Sequence, residues 1–344
     1  MKLTAAWTRE LLSCLLLSLA FSIFICFVSD QILNRKARRT EAIAMELAIL
    51  DGQPFHEAGN LTYVPAFQNR ILFPAFLKLG SRIGIFSAAG WYDFWRLVSA
   101  LAMFVVLWYV LRINTGANLK LTGAGMLSLA YCLVFTFSLP LVLTSDFPDA
   151  MFTSLFVLAS LQHKRWLLLI LAIVAAANRE SAAFAGIIWF FLYGINRDRR
   201  TSLLESGYAA LVSICSYATA LLLRYEFGGS KAISSHTQLL AFKTNLFLLS
   251  QFFQHPLAPF SWLSLNLCMI TPFVLWIFYN RQRLTTVQKK LLLACVATAT
   301  ASLIFGIISE PRIFIPSIVL LVIVSVWAEA EPSSRGEIGT KGNR

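Results

Sequence analysis

Apolar stretches of close to twenty residues recur along most of this chain, and they restrict it to a narrow set of folds. A helix needs about 20 apolar residues to cross a hydrocarbon core of ~30 Å. Inside that core every backbone N–H and C=O must find its partner within the protein, which leaves helices and closed barrels. The 344 residues are 58% hydrophobic and only 13% charged, whereas soluble domains carry about 25% charged residues. The expected fold is all-α: a polytopic transmembrane helical bundle of about ten spans. It forms one integral membrane domain over 1–328, followed by a polar tail at 329–344 with the composition of a disordered cytoplasmic segment.

The first run, Leu11 to Val28, follows Lys2 and Arg9 in the manner of a secretory leader, but no small-x-small pattern closes it cleanly. It is expected to remain as the first helix. Further spans are expected at 93–112, 121–143, 148–161, 165–178, 182–195, 205–223, 261–279, 290–309 and 313–328. Several are short, and 165–178 with 182–195 form a helical hairpin broken at Asn178-Arg179-Glu180-Ser181. Such a break is tolerated only where protein or a wet cavity satisfies the exposed groups. The longest polar insertion is the loop 29–92, whose later part, Ile71 to Ala89, is apolar but interrupted by Pro74, Lys78, Gly80 and Arg82. That pattern suits an interfacial amphipathic helix. The mixed segment from Arg224 to Ser261 is expected at the same kind of interface.

A net charge of +12 would suggest nucleic acid in a soluble protein. Here Lys and Arg gather in short segments between apolar runs, which argues against nucleic acid and for loops facing the cytoplasm. Arg112 to Lys120, Gln162 to Arg165, Asn196 to Arg200 and Asn280 to Lys290 are of this kind. Both termini are then cytoplasmic. The alternate connections face outward and hold the acids Asp146, Asp149, Glu180, Glu226 and Glu310. Loop one is ambiguous. Its Arg35-Lys36-Ala37-Arg38-Arg39 cluster favours the inside and would make Ile71 to Ala89 a span, while Lys2 and Arg9 favour a cytoplasmic N-terminus and an outward loop. We take it as outward. Six cysteines fall within apolar runs, with no CxxC and no Cys/His cluster, which argues against both disulfides and a zinc site.

Ionisable groups at membrane depth are costly and mark sites or mutual pairs. Arg70 opens the presumed interfacial helix, with Pro74 in its first turn, and is placed either to grip a phosphate or to snorkel to headgroups. Asp146 and Asp149 flank Pro148 near the positive end of a helix, where capping needs only one carboxylate. Arg179 and Glu180 at the hairpin apex are poorly placed to pair with each other, and Glu310 and Arg312 stand between two later runs. A purely structural reading cross-pairs Glu180 with Arg312 and Glu310 with Arg179. His236 and His255 are isolated, and the sequon Asn60-Leu61-Thr62 is of a kind common by chance.

In order along the chain, Gly52-Gln53-Pro54, Asn69-Arg70-Ile71-Leu72-Phe73-Pro74, Asp146-Phe147-Pro148-Asp149, Asn178-Arg179-Glu180 and Glu310-Pro311-Arg312 share one expected face. This arrangement resembles the GT-C superfamily of membrane glycosyltransferases, and small bacterial members most. The resemblance implies a GT-C-like bundle with interfacial helices in the first outward loop, located in a bacterial inner membrane. It further implies inverting transfer of a hexose from a polyprenyl-phosphate donor to a lipid or glycan acceptor, with a divalent cation as an optional cofactor. A loop-one carboxylate would be the general base, with Asp51 and Glu41 as candidates beside Glu46. Arg70, Arg179 and Arg312 would meet phosphate, for which guanidinium offers paired donors. Asp146 and Asp149 would contact acceptor or metal, with Glu180 and Glu310 beside them. Implied partners are the lipid-linked donor and membrane lipids. A transporter or flippase of lipid-linked intermediates is the competing reading, and it calls for ionisable groups at the midplane more than at one face. A non-catalytic membrane scaffold is the third.

Overall fold

The computed structural model describes residues 2–33, 40, 43–44, 47, 70–136, 143–195, 198–234, 250, 262–305 and 311–338. Side chains within them are described for 8–28, 70–134, 145–195, 198–227, 268–304 and 313–330, together with those of 40, 43–44, 47 and 250. The described residues contain helices and no strand. In chain order these are α1 (Lys2–Leu33), α2 (Leu72–Ile83), α3 (Ala88–Tyr109), α4 (Leu119–Thr136), α5 (Leu143–Leu161), α6 (Arg165–Ala176), α7 (Phe184–Trp189), α8 (Arg199–Ser234), α9 (Trp262–Asn280), α10 (Thr286–Phe305) and α11 (Ile315–Ile338). Short 3-10 turns at Glu180–Ala183 and Pro311–Phe314 lead into α7 and α11, and wider π-helical turns at Val110–Asn114 and Phe190–Gly194 end α3 and α7.

Among the described residues four segments are long and apolar enough to cross a membrane: Thr8–Val28, Ala88–Asn114, Arg199–Phe227 and Thr286–Ile304. Shorter apolar helices, such as Leu119–Val134 and Arg165–Ala176, pack among them. Large apolar side chains stay outside, among them Leu11, Phe27, Ile214 and Leu275. A protein that presents such a surface around a packed apolar core is built for lipid.

Side-chain ties give the helices their directions. Arg112 at the end of α3 donates to Glu10 near the start of α1 at 3.0 Å, and Arg96 further up α3 donates to the Cys26 carbonyl at 3.3 Å. The two helices are therefore antiparallel, and the chain between them leaves and returns at one end of the bundle. We call this end distal and the Glu10 end proximal. The helix α2 has 12 residues, about 18 Å at 1.5 Å per residue. It folds back on α3, where Phe73, Leu77, Trp91 and Tyr92 form a small separate core. Gly80 makes this approach feasible, because a Cβ there would stand 2.5 Å from the Trp91 ring.

Several expected boundaries move. The segment 71–89 divides at Gly84, which takes a left-handed conformation at φ 73°, and Ser87 caps α3 by accepting from the Gly90 N–H at 3.2 Å. On α5, Pro148 lies inside the helix and not in its first turn. The helix α8 extends to Ser234, so Arg224 and Glu226 are helical and not part of an interfacial connection. The last helix continues to Ile338, past the expected boundary at 328. At the proximal start of α8, Asp198 accepts from the Thr201 hydroxyl and from its N–H, which holds its carboxyl below the ordinary range.

Candidate functional site

The hairpin expected at 165–195 is present, and its apex is where the charged residues meet. Helix α6 stops at Ala176, and Arg179 adopts an extended backbone at φ −163° and ψ 152° before the 3-10 turn begins. A helix end leaves carbonyls without intrahelical donors, and a helix start leaves free N–H groups. Here the two defects cancel: the Leu72 N–H at the start of α2 donates to the Ala177 carbonyl at 3.1 Å. This bond fastens the end of loop one to the apex and places Arg70, two residues earlier and partly buried, in the same neighbourhood.

Asp146 and Asp149 are one turn apart near the start of α5 and so face the same way. Arg179 Nη1 donates to Asp149 Oδ2 at 2.9 Å and to Asp146 Oδ1 at 3.4 Å. Ser181 Oγ donates to the other Asp149 oxygen at 2.5 Å, and Asn178 Nδ2 donates to the Ser145 carbonyl at 3.0 Å. The three charged side chains are nearly sealed from solvent, at 6% exposure for Arg179, 1% for Asp146 and 6% for Asp149. Taking an ion out of water costs several kcal/mol, and only close opposite charge with satisfied hydrogen bonds offsets it. The apex therefore holds its shape because Arg179 and the two carboxylates have no cheaper arrangement.

Beside this cluster Glu180 pairs with Arg224 of α8. Arg224 is 1% exposed and its partner 25%. Ser213 Oγ also donates from α8 to the Ala183 carbonyl at 2.8 Å. The apex is thus bound to α2, α5 and α8 at once. Asp146, Asp149 and Glu180 thus alternate with Arg179 and Arg224, and Arg179, expected as a phosphate ligand, braces the two aspartates.

Of the residues singled out from the sequence, Asp146, Asp149, Arg179 and Glu180 come together, with Arg70 nearby. Asp51, Glu41 and Glu310 lie outside the described residues, and so do His236, His255 and the sequon. Arg312 belongs to the 3-10 turn Pro311–Phe314, with its side chain outside the description. The ion pairs described for Arg179 and Glu180 are with Asp146, Asp149 and Arg224, where cross-pairing with Glu310 and Arg312 was one expectation. Two buried arginines were missed. Arg224 was assigned to a connection, and Arg96, 2% exposed, lies inside the expected span 93–112 with its guanidinium 5.7 Å from the Tyr92 ring centroid. The signal for both was an arginine adjoining or within an apolar run, which calls for a partner.

A divalent cation, open under the GT-C resemblance, finds no complete site here: among the described residues no three His, Cys, Asp or Glu side chains gather to hold one. The Asp146–Asp149 pair already shares Arg179. Comparisons with protein-family models, with curated proteins and with solved structures find no match to this chain.

Proposed function

We propose that the distal end is the active site of a GT-C-like glycosyltransferase, which moves a hexose from a polyprenyl-phosphate donor to a hydroxyl of a lipid or glycan at the outward face of a bacterial inner membrane. The observation that supports this most is the bond from the Leu72 N–H to the Ala177 carbonyl. It joins loop one, source of the candidate base, to the buried Asp146–Asp149–Arg179 cluster.

In this reading a loop-one carboxylate, Asp51 or Glu41, takes the proton of the acceptor hydroxyl as its oxygen bonds to the anomeric carbon. The bond from that carbon to the phosphate oxygen breaks on the opposite side, and the electron pair leaves with the phosphate. In this reading Arg70, and Arg312 at the end of the later connection, receive that charge. Asp146 and Asp149, fixed by Arg179 and Ser181, hold the apex in the shape that receives the acceptor. The position of the cluster at one end of the bundle suits chemistry at a surface better than passage through the midplane.

Sugar transfer by the purified protein from a panel of polyprenyl-phosphate sugars tests the proposal, comparing wild type with Asp51→Asn, Glu41→Gln and Asp146→Asn. Loss of the base is expected to lower turnover by 10²-fold or more. Full transfer by all three variants would overturn the site. Lipid translocation in vesicles without transfer from any donor would favour the flippase.

A further inference from the structure

A second polar region lies at the proximal end, between α6 and α8, far from the Asp146 cluster. At its centre Arg165 pairs with Glu205, whose second oxygen accepts from Trp189 Nε1 at 2.9 Å. The Tyr208 hydroxyl closes the group by donating to the Arg165 carbonyl. Glu205, at 7% side-chain exposure, is thereby neutralised and enclosed. Around it stand Lys164, Arg199 and Arg200, all exposed, and no described carboxylate pairs with any of them. Asp198, their neighbour in sequence, is engaged by Thr201.

The surface towards the middle of the bundle is apolar and open. Trp166 is 78% exposed, Leu203 75% and Leu204 66%, continuing through Ile170 of α6 and Ile214 of α8. A tryptophan between an apolar strip and an excess of cations is the pattern of a helix leaving hydrocarbon for headgroups. A soluble acidic partner would meet the cations but would leave the Trp166–Leu203–Leu204 strip bare. A phospholipid covers both, with its chains along the strip and its phosphate among Lys164, Arg199 and Arg200.

We propose that this α6–α8 surface binds an anionic phospholipid of the proximal leaflet. Two features favour a net-negative headgroup. The three cations outnumber Asp198, the described carboxylate beside them in sequence, and the one buried acid in the region is already paired with Arg165. A zwitterionic lipid brings its own ammonium and gains less, and free phosphate lacks the chains.

The test is native mass spectrometry of the full chain in neutral detergent, titrated with phosphatidylglycerol, phosphatidylcholine or inorganic phosphate. The tightest phosphatidylglycerol site is expected to weaken about 5-fold for each of Lys164→Gln, Arg199→Gln and Arg200→Gln, and on the order of 100-fold for the three together. Equal affinity of wild type and triple variant for phosphatidylglycerol would overturn the proposal. So would binding of phosphatidylcholine as tight as that of phosphatidylglycerol, or displacement by millimolar phosphate. If the triple variant does not fold, the single variants decide by the same criterion.

Discussion

Replacing Arg179 with methionine is expected to destabilise the protein by about 3–5 kcal/mol, because it leaves Asp146 and Asp149 buried side by side without the guanidinium that bridges them. In a chain of this size each kcal/mol moves the midpoint by roughly 2–4 °C, so thermal unfolding in detergent followed by circular dichroism should fall by about 6–20 °C. The triple variant Arg179→Met, Asp146→Asn, Asp149→Asn removes the uncompensated charge together with its partner and should regain most of that loss. Sugar transfer should be lost in both. A single variant within 1 kcal/mol of wild type would mean that the cluster is not what holds the apex.

The Glu180–Arg224 pair is expected to show an unequal response. Arg224 is 1% exposed and Glu180 25%, so Glu180→Gln takes a carboxylate from the more deeply buried member of the pair and should cost about 3 kcal/mol. Arg224→Met leaves a carboxylate that still reaches solvent and should cost about 1–2 kcal/mol. The double variant should show a coupling of at least about 1 kcal/mol in a thermodynamic cycle. Equal losses with no coupling would remove the pair from the account of the apex. Both measurements concern the same junction, where α2, α5 and α8 meet a hairpin only a few residues across.

Much of this arrangement is legible in the sequence. The hairpin shows because Asn178-Arg179-Glu180-Ser181 interrupts two short apolar runs, and charge that cannot be solvated must sit where the helix breaks. Asp146 and Asp149 show because their spacing puts them on one side of a helix. Their common face with the apex follows from alternating the basic connections. The remainder needs the third dimension. Nothing in the sequence pairs Leu72 with Ala177, since a backbone bond leaves no side-chain signature. Arg224 resembles the end of a span because its compensating Glu180 is 44 positions away, and a charge whose partner is unseen looks like a boundary. Arg179 offers the chemistry of a phosphate ligand, and only its contacts show that two carboxylates claim it. The break at Gly84 leaves no mark beyond the glycine itself, since apolar residues on both sides of it, such as Leu77 and Trp91, enter one small core.

That loop one and the charged apex share the outward side of the membrane is the claim on which the rest depends, and cysteine accessibility tests it directly. Single cysteines at Ser81 of α2, Glu226 of α8 and Asp198 at the proximal end, all exposed, would be placed in a background from which the six native cysteines are removed. Intact cells would then be treated with a membrane-impermeant thiol reagent. The account predicts labelling at Ser81 and Glu226 and none at Asp198 until the cells are opened. Labelling of Asp198 in intact cells, or of only one of Ser81 and Glu226, would contradict it.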